Sequence, residues 1–380
     1  MARLEEFCKI TMGQSPDSAS YNENGEGLPF FQGNADFGIL HPTVRIWCNA
    51  PTKIANQDDI LISVRAPIGA LNIACDRCCI GRGLAALTVD DSQCDQKFMW
   101  YALESKIDEL NAKGTGSTFK AINKKILAET EIYLPPLEEQ RRIAALLDKV
   151  TDLIAKRRAQ LDKLDLLVKA RFVEMFGDPE ANNPSVALMP MTDICTIIDG
   201  DRGKNYPAQH EFKPYGYCLF LNAKNVTANG FSFENCMFIT KEKDELLKKG
   251  HLDRGDIVLT TRGTIGNLAL YDNLVPYENI RINSGMVILK MNHNLVSERF
   301  FIEQFKILLS SIKKKIASGS AQPQLPISTM NKIIMLMPPI ERQKEFSTHV
   351  EQTIKSKLTI QQSLNKLETL KKALMQQYFE

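Results

Sequence analysis

Cys75-Asp-Arg-Cys78-Cys79 places three thiols within five residues, a grouping that a zinc ion could use. A structural zinc site needs four ligands, and no second Cys or His pair follows at suitable spacing. Buried thiols on a strand are therefore expected, with no metal bound. The five histidines are scattered, without the nucleophile or carboxylate neighbours that acid–base or covalent catalysis requires, and surface or packing roles are expected for them. Gly200-Asp-Arg-Gly-Lys204 has the residue types of a phosphate loop at the wrong spacing for G-x-x-x-x-G-K-[ST]. Asn183-Pro184-Ser185 approaches the Asn/Asp-Pro-Pro-aromatic run of an adenine methyltransferase pocket and fails at the second proline. No catalytic residue is assigned, and no cofactor is expected on this chain.

What the sequence does offer is side chains suited to a polyanion. Arg65 and Arg262 each end a strand just before an x-x-Ile-Gly turn, where a guanidinium can clamp a phosphate or pair with guanine. A structural salt bridge inside the globular unit is the competing reading for both. Loops elsewhere carry Gln14, Ser15, Gln32, Asn34 and Lys120 in the first half of the chain. The second half has Arg202, Lys204, Asn222, Lys224, Asn225, Gln322 and Gln324. Asn and Gln can pair bidentately with adenine, although each could equally be an ordinary solvated loop residue. Lys124-Lys125 and Lys313-Lys314-Lys315 are short basic runs that a phosphate track or plain solvent would satisfy.

Those residues are positioned by a scaffold that occurs twice. Leu134-Pro-Pro-Leu-Glu-Glu-Gln140 returns as Met337-Pro-Pro-Ile-Glu-Arg-Gln343, a gapless offset of 203 residues that carries Met175-Phe176 onto Tyr378-Phe379. Each copy predicts one long helix. In the first, Ile143, Leu147, Val150, Ile154, Leu161, Leu164, Val168 and Phe172 recur at steps of three and four. In the second, Phe346, Val350, Ile354, Leu364, Leu367, Leu370 and Leu374 do the same. Prolines are tolerated in a first helical turn, glutamates there oppose the dipole, and Gly177 is a good stop. The apolar seams should pack the two helices on each other or on partner helices; a dimerisation coiled coil is the plainer alternative.

The repetition continues between the helices. Asp59-Ile-Leu-Ile-Ser-Val-Arg65-Ala-Pro-Ile-Gly69 matches Asp256-Ile-Val-Leu-Thr-Thr-Arg262-Gly-Thr-Ile-Gly266 at an offset of 197. Phe7-Cys8-Lys9-Ile10-Thr-Met-Gly13 parallels Ile194-Cys195-Thr-Ile-Ile-Asp-Gly200 at 187. Gly116-Ser117 and Gly319-Ser320 each stand 19 residues ahead of a long helix's first proline. Strands are expected at Ile60–Val64, Ala85–Val89, Asp256–Arg262, Leu268–Tyr271 and Gly285–Lys290, and helices at Lys97–Lys113 and Ser297–Lys315. The fold class is mixed α/β with a twisted, mostly antiparallel sheet. Its order is a globular unit (1–136), a spacer helix (137–180), a second unit (181–339) and a second spacer helix (340–380). Similar anchors joined by dissimilar fill mean one scaffold with two sets of surface loops. Antiparallel rods would relate the copies by a pseudo-two-fold axis, suited to two half-sites on a duplex.

Composition sets bounds on this reading. At 44% hydrophobic and 24% charged residues a globular protein is expected. No apolar run of about 18 residues predicts a membrane span. An N-terminus lacking the order of a secretion signal and nine cysteines point to reduced thiols in the cytoplasm. The net charge of +2 does not announce nucleic-acid binding, and residues 1–136 carry 13 basic against 17 acidic side chains. The first unit would therefore have to hold DNA through local patches.

Taken together, the doubled Pro-Pro-x-Glu-x-Gln helices, the doubled strand-turn and the paired Gly-Ser loops make the sequence resemble the specificity subunit of a type I restriction-modification system over nearly its whole length. The resemblance implies two target-recognition domains, each reading half of a bipartite double-stranded DNA site, with long helices that set the gap. It implies docking of two modification subunits that use S-adenosylmethionine to methylate adenine at N6, and of motor-nuclease restriction subunits that use ATP and Mg. By the same resemblance this chain is non-catalytic. The rivals are a structural adaptor binding only proteins and a stand-alone hydrolase or transferase.

Overall fold

The β-rich runs pair into the same four-stranded sheet twice. The computed structural model describes residues 1–116, 120–181, 186–317 and 324–379. Cys8–Met12, Leu84–Val89, Ile60–Ser63 and Leu71–Ile73 lie side by side in that order, all antiparallel. Cys195–Asp199, Met286–Met291, Ile257–Thr260 and Leu268–Leu270 repeat the order and the orientation. Both faces of each sheet are covered, so these strands read as nearly continuous apolar runs. Ile60, Ile62, Ala85 and Leu87 point into a core with Phe98 and Met99, whereas Leu61, Leu84 and Ala86 point the other way, as the two-residue period requires.

The second face is covered by a second sheet of shorter strands that the expectations did not include. In the first half it has five strands, in the order Tyr21–Asn22, Ile46–Cys48, Leu28–Phe31, Cys78–Ile80 and Ile54–Ala55. In the second half it has three: Phe238–Ile239, Cys218–Leu221 and Ile280–Ile282. Each holds one parallel pairing, Leu28–Phe31 with Cys78–Ile80 and Cys218–Leu221 with Ile280–Ile282. Strands of two to four residues are too short for alternation to be read from sequence. The helix expected at Lys97–Lys113 is two, Gln96–Ser105 and Ile107–Lys113, because the Lys106 N–H turns back to Leu103 O at 3.0 Å, three residues away. Its counterpart, Glu298–Ala317, is unbroken.

The long helices run from Leu137 to Phe176 and from Ile340 to Phe379. Gly177 ends the first with φ +83°, its N–H donating to Val173 O at 2.9 Å. Packing divides the chain differently from its linear order. One compact unit comprises residues 1–158 with 361–380, and the other comprises residues 159–360. Each unit thus contains the start of one long helix and the end of the other. In the first unit Arg142 lies over the Tyr378 ring and Arg158 pairs with Glu368 at 2.7 Å, so the two helical segments run antiparallel. In the second, Phe172 and Phe176 meet Phe346, and Lys357 pairs with Asp165 at 2.6 Å, again antiparallel.

The matched Met-Phe and Tyr-Phe ends now have a physical role. Phe379 packs on Phe98 with ring centroids 5.1 Å apart, and its equivalent Phe176 packs on Phe300 at 5.0 Å. Each helix end plugs the core of the unit that the other helix begins. A buried phenylalanine contributes about 2–3 kcal/mol by area, with about 1 kcal/mol more for each ring pair. Among the expected packing residues, Ile143, Leu147, Val150, Ile154, Val168, Phe346, Val350 and Leu364 are buried, and Leu161, Leu164, Leu367 and Leu374 are half-buried. Ile143 and Leu147 differ from the expected seam in joining the globular core around Phe98 and Leu103.

The repeated glutamine secures each helix start. Gln140 is fully buried: its Oε1 accepts from Asp95 N–H at 2.8 Å, and its Nε2 donates to Gln93 O at 2.9 Å and Pro135 O at 2.7 Å. Gln343 does the same with Ser297 N–H (3.0 Å), Leu295 O (2.9 Å) and Pro338 O (2.9 Å). Residues Asp95 and Ser297 stand immediately before Gln96–Ser105 and Glu298–Ala317, so each glutamine ties a long helix to the start of a core helix.

Candidate nucleic-acid interface

The repeated strand-turn consumes its polar residues one by one. The Asp59 carboxylate accepts from Asn56 N–H at 2.8 Å, and Asp256 accepts from Asp253 N–H at the same distance. Both are buried, and burial raises each carboxyl above its ordinary range. The Ser63 hydroxyl donates to Pro67 O at 2.6 Å and accepts from Ala70 N–H at 2.9 Å. Thr260 likewise accepts from Asn267 N–H at 2.9 Å and donates to Thr264 O. Gly69 and Gly266 take φ of +92° and +94°, a conformation that excludes most side chains. Arg65 and Arg262 are the charged residues left over. Both are exposed, and among the described residues neither guanidinium has a hydrogen-bond or ion-pair partner. The salt-bridge alternative therefore has no counterpart in the described structure.

Beside each arginine, three loops cross at a point where the backbones touch. A Cβ on Gly13 would lie 2.1 Å from Gly81 O, and one on Gly200 would lie 2.3 Å from Asn283 O. Leaving the first crossing, Gln14 donates its N–H to Ile80 O at 3.0 Å, while Ser15 and the Gln32 amide bond each other at 2.9 and 3.0 Å. Gly83 N–H donates to Gln32 O at 3.1 Å, and Gly83 O accepts from Val64 N–H at 2.9 Å. Ala66 N–H then donates to Lys120 O at 3.0 Å. Gln14, Ser15, Gln32, Arg65 and Lys120 thus share one hydrogen-bonded patch, with Asn34 two residues beyond Gln32 in the Asn34–Asp36 turn.

The second unit builds a related patch. Asn283 N–H donates to Leu221 O at 3.1 Å, which brings Asn222 to the crossing, and Gly285 O accepts from Arg262 N–H at 3.2 Å. Arg202 pairs with Asp199 at 2.9 Å and donates to Ser284 O at 3.3 Å. Lys204 and Lys224 are exposed nearby in sequence, and Gln324 bridges Arg262 as Ala121 bridges Arg65. Asp201 accepts from Gly203 N–H and Lys248 N–H at 2.8 and 2.9 Å, bonds that hold its carboxyl below the usual range and fasten the Lys248-Lys249 segment to this loop.

Not every candidate is placed for contact. Asn225 is buried, and its amide is committed: Nδ2 donates to Ser232 O and Asn235 O at 3.0 and 3.1 Å, and Oδ1 accepts from Asn222 N–H at 3.0 Å. It shapes the loop and leaves no group for a base. Gln322, Ser117, Gly319 and Ser320 lie outside the described residues. Arg82 and Lys53 in the first unit and Lys248 and Lys249 in the second border the patches without having been singled out. The signal for Arg82 was its place between Gly81 and Gly83. Cys78 and Cys79 are consecutive in one strand and so face opposite ways, which rules out joint chelation, and burial pushes the Cys78 thiol up to about 12. Among the described residues no three potential ligands converge on a metal position, and no helix is long and apolar enough to cross a membrane.

Comparison with known proteins gives one family. Residues 1–164 and 186–369 match the family described as type I restriction modification DNA specificity domain. A candidate type I restriction enzyme MjaX specificity subunit of Methanocaldococcus jannaschii is 46% identical over 161 residues, spanning 42% of this chain and only 38% of that relative. The type I restriction enzyme MjaIX specificity subunit of the same organism is 24% identical over 353 residues, 85% of this chain and 77% of the relative. The crystal structure of a type I restriction-modification system S subunit from M. genitalium shares the fold, with a TM-score of 0.61 at 18% identity over 100% of this chain and 95% of that one.

Proposed function

The chain belongs to the type I restriction-modification DNA specificity family; it is the target-recognising, itself non-catalytic, kind of subunit, and from that premise we propose how it reads its site. Each globular unit binds one half of a bipartite duplex sequence. Arg65 and Arg262, present in both units on turns closed by matching hydrogen bonds, hold phosphate and fix register. Base reading falls to side chains that differ between the units: Gln14, Ser15, Gln32, Asn34 and Lys120 in one, and Lys204, Asn222, Lys224, Gln322 and Gln324 in the other. Each good bidentate contact discriminates by about 1–3 kcal/mol, so several per unit are needed. Two modification subunits dock on the long helices and bring S-adenosylmethionine for adenine-N6 methylation, and restriction subunits bring ATP and Mg. The complex works in the cytoplasm.

The observation that carries this reading is the pair of exposed arginines, without a side-chain partner among the described residues, on turns whose buried polar groups are all bonded. An adaptor that binds only proteins gives no reason for two such cations to stand at the same point of the repeated strand-turn beside unlike loops. The test exchanges residues 1–136 for those of a relative with a different target and maps adenine methylation with the partner subunits present. One half-site should change and the other should stay. Two unchanged half-sites would exclude base reading by this unit.

A further inference from the structure

We infer that Arg82 in the first unit and Arg202 in the second serve the same position on the DNA-facing surface, reaching it from different segments of the repeated scaffold, and that each clamps a phosphate next to the one held by Arg65 or Arg262. The inference rests on the DNA-binding reading above. It goes beyond that reading by adding Arg82 and by giving Arg202 a backbone-positioning role.

The equivalence comes from backbone hydrogen bonds, which align the units where sequence offsets drift. Gly81 N–H donates to Phe31 O at 2.8 Å, and Asn283 N–H donates to Leu221 O at 3.1 Å. Leu84 N–H returns to Gly81 O at 3.0 Å, and Met286 N–H returns to Asn283 O at 3.4 Å. Gly81-Arg82-Gly83 therefore matches Asn283-Ser284-Gly285. On the facing segment, Gly13 and Gly200 make the same close approach, so Ser15 matches Arg202. The first unit thus has serine at 15 facing arginine at 82, and the second has arginine at 202 facing serine at 284. The two residue types are exchanged across the crossing.

The exchanged residues also touch. Arg82 N–H donates to Ser15 Oγ at 3.3 Å, and Arg202 Nη2 donates to Ser284 O at 3.3 Å. Each crossing is bonded to the residue just before the leftover arginine, Gly83 O accepting from Val64 N–H and Gly285 O from Thr261 N–H, both at 2.9 Å. Arg82 is exposed, with no side-chain partner among the described residues. A cation kept at this crossing by either of two routes, while the surrounding loops diverge, is what a sequence-independent contact requires. Phosphates offer that contact at every sequence, and bases do not.

The test uses the full chain in complex with its modification subunits. Binding is titrated against salt on a duplex carrying the methylated site mapped in the source strain and on an unrelated duplex. Arg82→Ser and Arg202→Ser should each weaken binding about tenfold on both duplexes and lower the log–log salt slope by about 0.9, as loss of one phosphate contact does. The exchange variants Ser15→Arg/Arg82→Ser and Arg202→Ser/Ser284→Arg should restore affinity and slope on the unrelated duplex, where base reading plays no part, and Arg82→Lys should keep the slope. The thermal midpoint of Arg82→Ser should match the parent's, since Arg82 is exposed. If Arg65→Ala weakens binding while Arg82→Ser and Arg202→Ser do not, or if the exchange variants fail to restore it, the shared position is refuted and the DNA reading stands. If the parent complex shows no salt-dependent binding, the DNA reading itself falls.

Discussion

Changing Gln140 to glutamate replaces one NH2 group with an oxygen in a fully buried site. The parent amide donates to Gln93 O and Pro135 O at 2.9 and 2.7 Å and accepts from Asp95 N–H at 2.8 Å. A carboxylate keeps the third bond and turns the first two into oxygen–oxygen repulsions. Burial and those two carbonyls favour the protonated acid, raising the folded-state pKa of the new glutamate by about 2–3 units, or about 3–4 kcal/mol at pH 7. The lost amide donor adds about 1 kcal/mol. Because the folded pKa is raised, the penalty grows as pH rises through the unfolded value of about 4.3 and is relieved below it. Near pH 4 the protonated side chain donates to one carbonyl, and only about 1 kcal/mol should remain. Urea unfolding at pH 7 and pH 4, followed by tryptophan fluorescence, measures both values, because Trp47 and Trp100 both lie in the first unit. Equal losses at the two pH values, or a loss under about 1 kcal/mol at pH 7, would refute the role assigned to this glutamine.

Other perturbations have definite expected outcomes. Gly13→Ala forces a Cβ to within 2.1 Å of Gly81 O and should cost well over about 2 kcal/mol by urea unfolding, with methylation lost at the half-site that the first unit reads; a neutral result would show that the crossing is loose. Asp59→Asn keeps an acceptor for Asn56 N–H and removes a carboxyl whose pKa burial raises, so it should stabilise at pH 7, with the gain shrinking as pH falls into the carboxylate range; equal destabilisation at pH 7 and pH 4 contradicts this. Cys75 is exposed, whereas Cys8, Cys78, Cys94 and Cys195 are buried with thiols pushed up to about 12. In native protein at pH 8 a thiol reagent should therefore modify Cys75 rapidly and those four only on unfolding, as mass spectrometry of the labelled peptides will show.

Much of the architecture was legible before any coordinates because duplication writes the same anchors twice. The two long helices begin and end where their prolines, their 3.6-residue apolar stripe and Gly177 indicate, since capping and periodicity are local. Arg65 and Arg262 could be found by their repetition, and the absence of a phosphate loop or a methyltransferase motif was readable from spacing alone. Gln140 and Gln343 were visible as matched residues, but their role was not. Their partners at 93–95 and 295–297 are about 45 residues away in sequence, and only packing brings those backbones to the amide.

The tertiary structure decided what depends on long-range approach. It showed that Asn225, a plausible base reader by residue type, spends its amide on its own loop. It joined the end of each long helix to the unit that the other begins, through Phe379 on Phe98 and Phe176 on Phe300. It also aligned Arg82 with Ser284, which no constant offset would do because the loops between the anchors differ in length. Residue type and periodicity fix which elements form and which side chains are available. Which of those side chains remain unspent is set by hydrogen bonds and contacts between distant segments, and those exist only once the chain has folded.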